Sequence, residues 1–143
     1  MGGAGTTDPR GMGYPPSAVL LTPSLSLVVF PAQTAMSAPI TCWVGPSGRV
    51  LVTLSVLWTI TATGGGEGWI KVNSTTAANP QMFQQNPAAA GSATYTTTAV
   101  ILFSAADGVV PNALNTFTPM GSYVIASAVL AAGNSGSMVV QPL

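Results

Sequence analysis

The fold of this chain is decided by residues 49–61, which read RVLVTLSVLWTIT. Every even position of this stretch is apolar, and most odd positions carry Thr or Ser. An alternation with a period of two over this length is typical of a β-strand with one buried face. At about 3.3 Å per residue the strand would be roughly 40 Å long, which predicts a central strand that crosses a two-layer sandwich. The inward residues would be Val50, Val52, Leu54, Val56, Trp58 and Ile60.

Glycines bound this strand on both sides, and shorter alternating runs surround it. Gly48 precedes it and residues 64–66 are three glycines, so residues 48–73 are interpreted as a hairpin with Glu67 in its turn. Further strands are predicted for Leu25 to Val29, Tyr95 to Ser104 and Met138 to Val140, whereas residues 123–130 fit either a helix or a strand.

The remaining segments lack a period. Residues 73–92 contain two prolines and are predicted to form a long surface loop, and the Asp107-Gly108 pair is typical of a turn. Residues 1–16 are rich in Gly and Pro, which favours an extended arm or linker over plain disorder. We therefore expect an all-β, jelly-roll-like antiparallel sandwich over residues 17–143, preceded by an arm over residues 1–16.

Charge is nearly absent, and this excludes several function classes. The 143 residues include three Lys or Arg, three Asp or Glu and no His. Hydrolysis and group transfer usually need positioned acids, bases or metal ligands, so we expect no enzyme, no cofactor and no metal. Three cations are too few for a nucleic-acid surface. We also expect no membrane span, because no apolar run approaches 20 residues.

The charge deficit instead favours a subunit of an assembly. The chain is 4% charged, whereas soluble proteins average about 25%. A surface with so few charges is expected to be covered by neighbouring subunits. Five residues are candidates for that interface because they are apolar and lie on the outer side of a strand, beside a turn or in the long loop. They are Leu51, Leu57, Trp69, Met82 and Phe83.

The roles of the residues in the long loop and of the single cysteine each leave an alternative open. Met82 and Phe83 fit an exposed recognition patch, but Phe83 equally fits a role in holding the loop against the sandwich. The lone Cys42 lies in an apolar stretch and is interpreted as a buried small side chain rather than a reactive thiol.

The C-terminal half resembles a known group of proteins. The segments PNALNTFT at 111–118, YVIAS at 123–127 and SMVVQPL at 137–143 are similar to the end of small phage virion proteins, notably from phages of actinobacteria. The resemblance spans roughly residues 18–143. It implies a TNF/C1q-like jelly roll, a homotrimer, and a role as a minor tail protein, tail-fibre tip or head decoration protein. It implies no catalytic residue.

The favoured hypothesis is a minor tail protein on the virion exterior, made in the bacterial host cytoplasm and bound to other virion proteins. A head decoration protein is the close alternative. A module that binds a host surface glycan is a second class, for which Trp69, Tyr95 and Tyr123 are the aromatic candidates. A hydrolase that uses Glu67 and Asp107 is the least favoured.

Overall fold

A computed structural model describes residues 15–87 and 91–143 of the chain. Eleven β-strands account for most of these residues, and one turn of 3-10 helix covers Ala105–Asp107. In chain order the strands are β1 (Ser17–Leu20), β2 (Val28–Val29), β3 (Thr34–Ala35), β4 (Ile40–Val44), β5 (Val50–Ile60), β6 (Gly65–Val72), β7 (Met82–Gln85), β8 (Ala93–Phe103), β9 (Ala113–Val124), β10 (Ala128–Leu130) and β11 (Gly136–Pro142).

The strands form two sheets that pack face to face. The front sheet has the order β1-β11-β5-β8, with β10 beside the end of β5. The back sheet has the order β2-β9-β6-β7, with β3 and β4 also on β9. All pairs are antiparallel except β2 with β9. Early strands pair with late ones in both sheets, as β1 does with β11 and β4 with β9, which is the arrangement of a jelly roll.

The central strand β5 confirms the prediction from the alternating stretch. Its even residues are all buried and its odd residues are all half-buried. Trp58 is fully buried, as predicted, and its indole N–H donates to the Thr97 hydroxyl at 3.2 Å. The strands predicted around residues 95–104 and 138–140 are β8 and β11. Residues 123–130 contain the end of β9, a bend and β10, so this segment is strand rather than helix.

The hairpin predicted for residues 48–73 is wrong. Strands β5 and β6 belong to different sheets, and Thr61 to Gly64 carry the chain from one sheet to the other. Gly66 therefore lies in a strand under the Trp58 ring, and a Cβ at Gly66 would come within 2.8 Å of that ring. The glycines that suggested a turn instead leave space for the largest side chain of the core.

The long loop predicted for residues 73–92 is wrong in part. Residues 74–79 are exposed, but Met82–Gln85 form β7 at the edge of the back sheet. The Asp107-Gly108 turn is confirmed, since Gly108 ends the 3-10 turn with a φ of 95°. Most of the arm predicted for residues 1–16 lies outside the described residues.

A buried amide cluster connects the loop after the 3-10 turn to the core. The Asn115 side chain is fully buried, accepts from the Val110 N–H at 2.8 Å and donates to the Val110 carbonyl at 2.9 Å. Its carbonyl oxygen also accepts from the Asn73 amide at 2.9 Å. A buried amide with all its partners fixes the backbone around it, so Asn115 holds the loop in one conformation.

Candidate interaction surface

The outward surface of β1, β11, β5 and β8 in the front sheet, here called the front face, carries no charged residue among those that the structure describes. Its members are the odd residues of β5, the even residues of β8, and the outward residues of β1 and β11. They are Ala18, Leu20, Leu51, Thr53, Ser55, Leu57, Thr59, Thr94, Thr96, Thr98, Val100, Leu102, Ser137, Val139 and Gln141. Arg49 lies just before β5 at the rim, and Glu67 and Lys71 lie on the back sheet.

Apolar side chains concentrate at one end of the front face. Leu51 pairs with Leu102 in the register of β5 and β8, and Thr53 pairs with Val100. Val100 is 62% exposed and Leu102 is 48% exposed, while Leu51 and Leu57 are half-buried. Both leucines predicted as interface residues thus lie on the front face, although their contact with a partner stays a prediction.

Hydroxyl pairs fill the middle and the other end of the front face. The Ser55 and Thr98 hydroxyls hydrogen-bond across the two strands at 2.8 Å, and those of Thr59 and Thr94 do so at 3.2 Å. Each pair gives one of its two hydroxyl hydrogens an acceptor, so fewer polar groups lose a hydrogen bond when a partner covers this surface.

A groove of about 290 Å³ borders the front face beside the turn at residues 133–136. Leu20, Leu57, Thr96 and Asn134 are among the residues that line it. Leu20 is 75% exposed and forms one wall. The groove gives the front face a recess around Leu57, away from Leu51.

The structure corrects two of the five predicted interface residues. Trp69 is 1% exposed because the chain continues as a strand past the glycines and Phe30 stacks on the Trp69 ring, with centroids 6.2 Å apart. Met82 is 4% exposed because its side chain points into the sandwich from β7. Neither side chain presents surface to a partner.

Phe83 differs from its neighbour because side chains alternate along a strand. It points outward from β7 and is half exposed, and its ring packs over Gly65 of β6, so the structure does not decide between the two alternatives. It lies on the back sheet opposite Glu67 in the register of β6 and β7, away from Leu51 and Leu57. The structure therefore does not bring the five predicted residues together on one surface.

The aromatic residues considered for glycan binding do not form an open platform. Besides the buried Trp69, Tyr95 is half-buried and its hydroxyl donates to the Asn86 side-chain oxygen at 3.2 Å. Tyr123 is half-buried and packs against the core. Each of these rings contributes to the packing of the sandwich.

The two acids considered for hydrolysis have separate surroundings. Glu67 lies in the middle of β6 rather than in a turn, and its carboxylate accepts from the Ser122 hydroxyl at 3.3 Å. The Asp107 carboxylate caps its own 3-10 turn by accepting the Ser104 N–H at 2.9 Å. Within residues 15–87 and 91–143, no group of three His, Cys, Asp or Glu residues is placed to hold a metal ion.

Cys42 is half-buried on β4, and burial raises the pKa of its thiol from 9.0 to about 11. The thiol therefore stays protonated at neutral pH, which agrees with a structural side chain. Across the described part of the chain, no helix is long and apolar enough to cross a membrane.

Comparison with known proteins defines the fold rather than a family. No protein-family model matches the chain, and no curated protein matches it. Among solved structures it is similar to the infectious bursal disease virus VP2 subviral particle, at 12% identity with a TM-score of 0.57 over 93% of this chain. This chain spans only 35% of the VP2 chain.

A second solved structure, Eiger TNF from S. frugiperda, shares 7% identity and gives a TM-score of 0.50 over 85% of this chain and 94% of that one. The predicted fold class is confirmed: the chain is a jelly-roll β-sandwich.

Proposed function

We propose that this chain is a non-enzymatic structural protein of a phage virion, a minor tail protein on the virion exterior that assembles as a trimer through its front face. The observation that carries the proposal is the absence of charge across that face. A large sheet surface without charge is poorly suited to permanent contact with water, because charged residues normally keep protein surfaces apart.

The size of the front face suits a contact between subunits. Strand spacings of about 4.8 Å and rises of about 3.3 Å per residue give the front sheet a projected area of roughly 500–600 Å². A stable interface buries about 800 Å² of accessible surface per partner. Side chains such as Leu20 and Val100 add to the projected area, so one face can supply most of one interface.

Two similarities support the virion role. The chain has the fold of a protein from a viral particle, and its C-terminal segments resemble those of small phage virion proteins. Residues 1–16 would attach the subunit to the particle, and the exposed segment at 74–79 would face outward or contact a neighbour. A head decoration protein remains the alternative within this class. The glycan-binding alternative loses support because Trp69 is buried.

The first test is the mass in solution, measured by light scattering, of the full chain and of residues 17–143. The proposal predicts copy numbers that are multiples of three for both forms, because the front-face residues named above all lie within residues 17–143. A monomer in both forms would contradict it.

A further inference from the structure

The strand β8 has one edge without a hydrogen-bonded neighbour. Among the residues that the structure describes, β5 is the only strand paired with β8. Strand β7 reaches β8 through side chains, such as the Thr97 hydroxyl that donates to the Gln84 side chain at 3.1 Å. The edge therefore runs along the full eleven residues of Ala93–Phe103.

Backbone hydrogen bonds show which β8 residues face this edge. The N–H of Leu57 donates to the Ser135 carbonyl, and the Leu57 carbonyl accepts from the Ala131 N–H, so odd residues of β5 bond away from β8. Even residues of β5 therefore bond to β8, where their partners in register are odd. It follows that the N–H and C=O groups of even β8 residues point to the free edge. These are Thr94, Thr96, Thr98, Val100 and Leu102.

This edge lacks the features that normally prevent strands of different molecules from pairing. Edge strands are usually short, or they carry Lys, Pro or a bulge. The other strands at sheet edges, β1, β2, β3, β4, β7 and β10, have two to five residues each. Strand β8 has eleven residues with no charge, Pro or Gly.

We propose that the free edge of β8 pairs with the β8 edge of a second copy of this chain, antiparallel and centred on Thr98, so that two front sheets become one. The five free residues are symmetric about Thr98. A two-fold axis at that residue therefore gives every free N–H and C=O a partner, with Thr96 opposite Val100 and Thr94 opposite Leu102.

Charge and side-chain chemistry identify a second copy as the occupant. In a pair of strands related by a two-fold axis, a residue on the axis faces the same residue of the second copy, so a charge there would be repelled. Residues at equal distances on either side of the axis face each other. Strand β8 carries no charge that would be repelled. The hydroxyl pairs Ser55–Thr98 and Thr59–Thr94 already join β5 to β8, and Thr98 opposite Thr98 of the second copy would continue that row.

Edge pairing and assembly through the front face are independent of each other, and the mass of the protein in solution distinguishes them. Edge pairing alone gives two copies, face packing alone gives three, and both together give an even multiple of three, which is six in the smallest closed assembly. An even number of copies in the wild-type protein supports edge pairing, whereas one or three copies overturns it whether or not the proposed function holds.

The decisive variant is Val100→Pro, measured by light scattering and thermal unfolding. Proline removes an N–H that points to the free edge and no bond within the chain, so we expect the copy number to fall by a factor of two with the fold retained. Val100 also lies on the front face, so the reference is Val100→Thr, which changes the same side chain and keeps the N–H; Val100→Pro is expected to have half the copy number of Val100→Thr. An unchanged mass for Val100→Pro overturns the proposal.

Two further measurements test the backbone geometry. Ala99→Pro removes an N–H bonded to β5 and is expected to lower the melting temperature well below that of Val100→Pro. The Thr98 amide is expected to exchange its hydrogen at least tenfold more slowly in the wild-type protein than in Val100→Pro. In the wild-type protein, the Val100 amide is expected to be as slow as the Thr98 amide. Equal exchange at the Thr98 amide in the two proteins counts against edge pairing.

Discussion

Replacing Thr53 by lysine is expected to dissociate the proposed trimer while leaving the subunit folded. Thr53 lies in the middle of the front face, in register with Val139 on one side and Val100 on the other. Its side chain is half-buried in the single chain and would be fully covered by a neighbouring subunit. A lysine at this position has no acid on the front face to pair with.

The size of the effect follows from the desolvation of the ammonium group. Burying an unpaired charge costs several kcal/mol. Taking about 4 kcal/mol per interface, each interface weakens about a thousandfold. In the single chain the same lysine points into water, so the free energy of unfolding should change by only about 0.5–1 kcal/mol.

The matched control is Thr41→Lys, which makes the same change at an exposed strand position on the back sheet. Light scattering across a concentration series should show a reduced copy number for Thr53→Lys and the wild-type copy number for Thr41→Lys. Thr41→Lys should unfold within a few degrees of the wild-type protein, and Thr53→Lys should still unfold cooperatively, at the temperature of the dissociated subunit. If Thr53→Lys keeps the wild-type mass, the front face is not the interface and the reasoning from its charge is refuted.

Three other predictions concern the packing that supports this face. Gly66→Ala places a methyl group against the Trp58 ring and should lower the free energy of unfolding in urea by about 1–3 kcal/mol, whereas no loss would contradict the close approach. Asn115→Ala leaves the N–H and C=O of Val110 without their partner and should cost roughly 2–6 kcal/mol by the same measurement; a loss under about 1 kcal/mol would show that the amide is dispensable. Because the pKa of Cys42 is raised in the folded chain, the unfolded chain loses its thiol proton at lower pH than the folded chain does. The stability that the protonated thiol contributes is therefore complete below pH 9.0 and is lost as the pH rises to about 11. A Cys42→Ser variant should not show this loss when the free energy of unfolding is measured against pH, and a pH profile identical to that of the wild-type protein would contradict the prediction.

The sequence predicts the parts of the fold that local alternation determines. Strand β5 is evident from residues 49–61 because one face is buried along its whole length, and each inward residue is apolar. The outward positions of Leu51 and Leu57 follow from the same alternation. Any strand with one buried face carries this information in its own residues.

Contacts between distant segments are not visible in the same way. The glycines at residues 64–66 favour a turn by local rules, but Gly66 is needed beneath Trp58, which is a packing contact between sheets. Trp69 is buried by Phe30, 39 positions earlier in the sequence, and no local pattern links the two rings. Met82 and Phe83 lie in a strand too short to show a period. Tertiary packing thus decides the burial of Trp69 and Met82, and local sequence rules do not show it.

The open edge of β8 could not be predicted from the sequence for a related reason. The run of Thr and β-branched residues indicates a strand, but its position in the sheet depends on which strands pair with it. Only the topology shows that β5 lies on one side and that no described strand lies on the other.

The most direct test of a virion role is to purify particles on a density gradient, count the copies of this chain by quantitative mass spectrometry, and label intact particles with antibodies to it. A trimeric protein on the virion exterior is expected to sediment with the particles in a multiple of three copies and to bind the antibodies on intact particles. A small number of copies at the tail supports the minor tail role, and many copies over the head supports decoration. Particles that lack the chain would contradict the account.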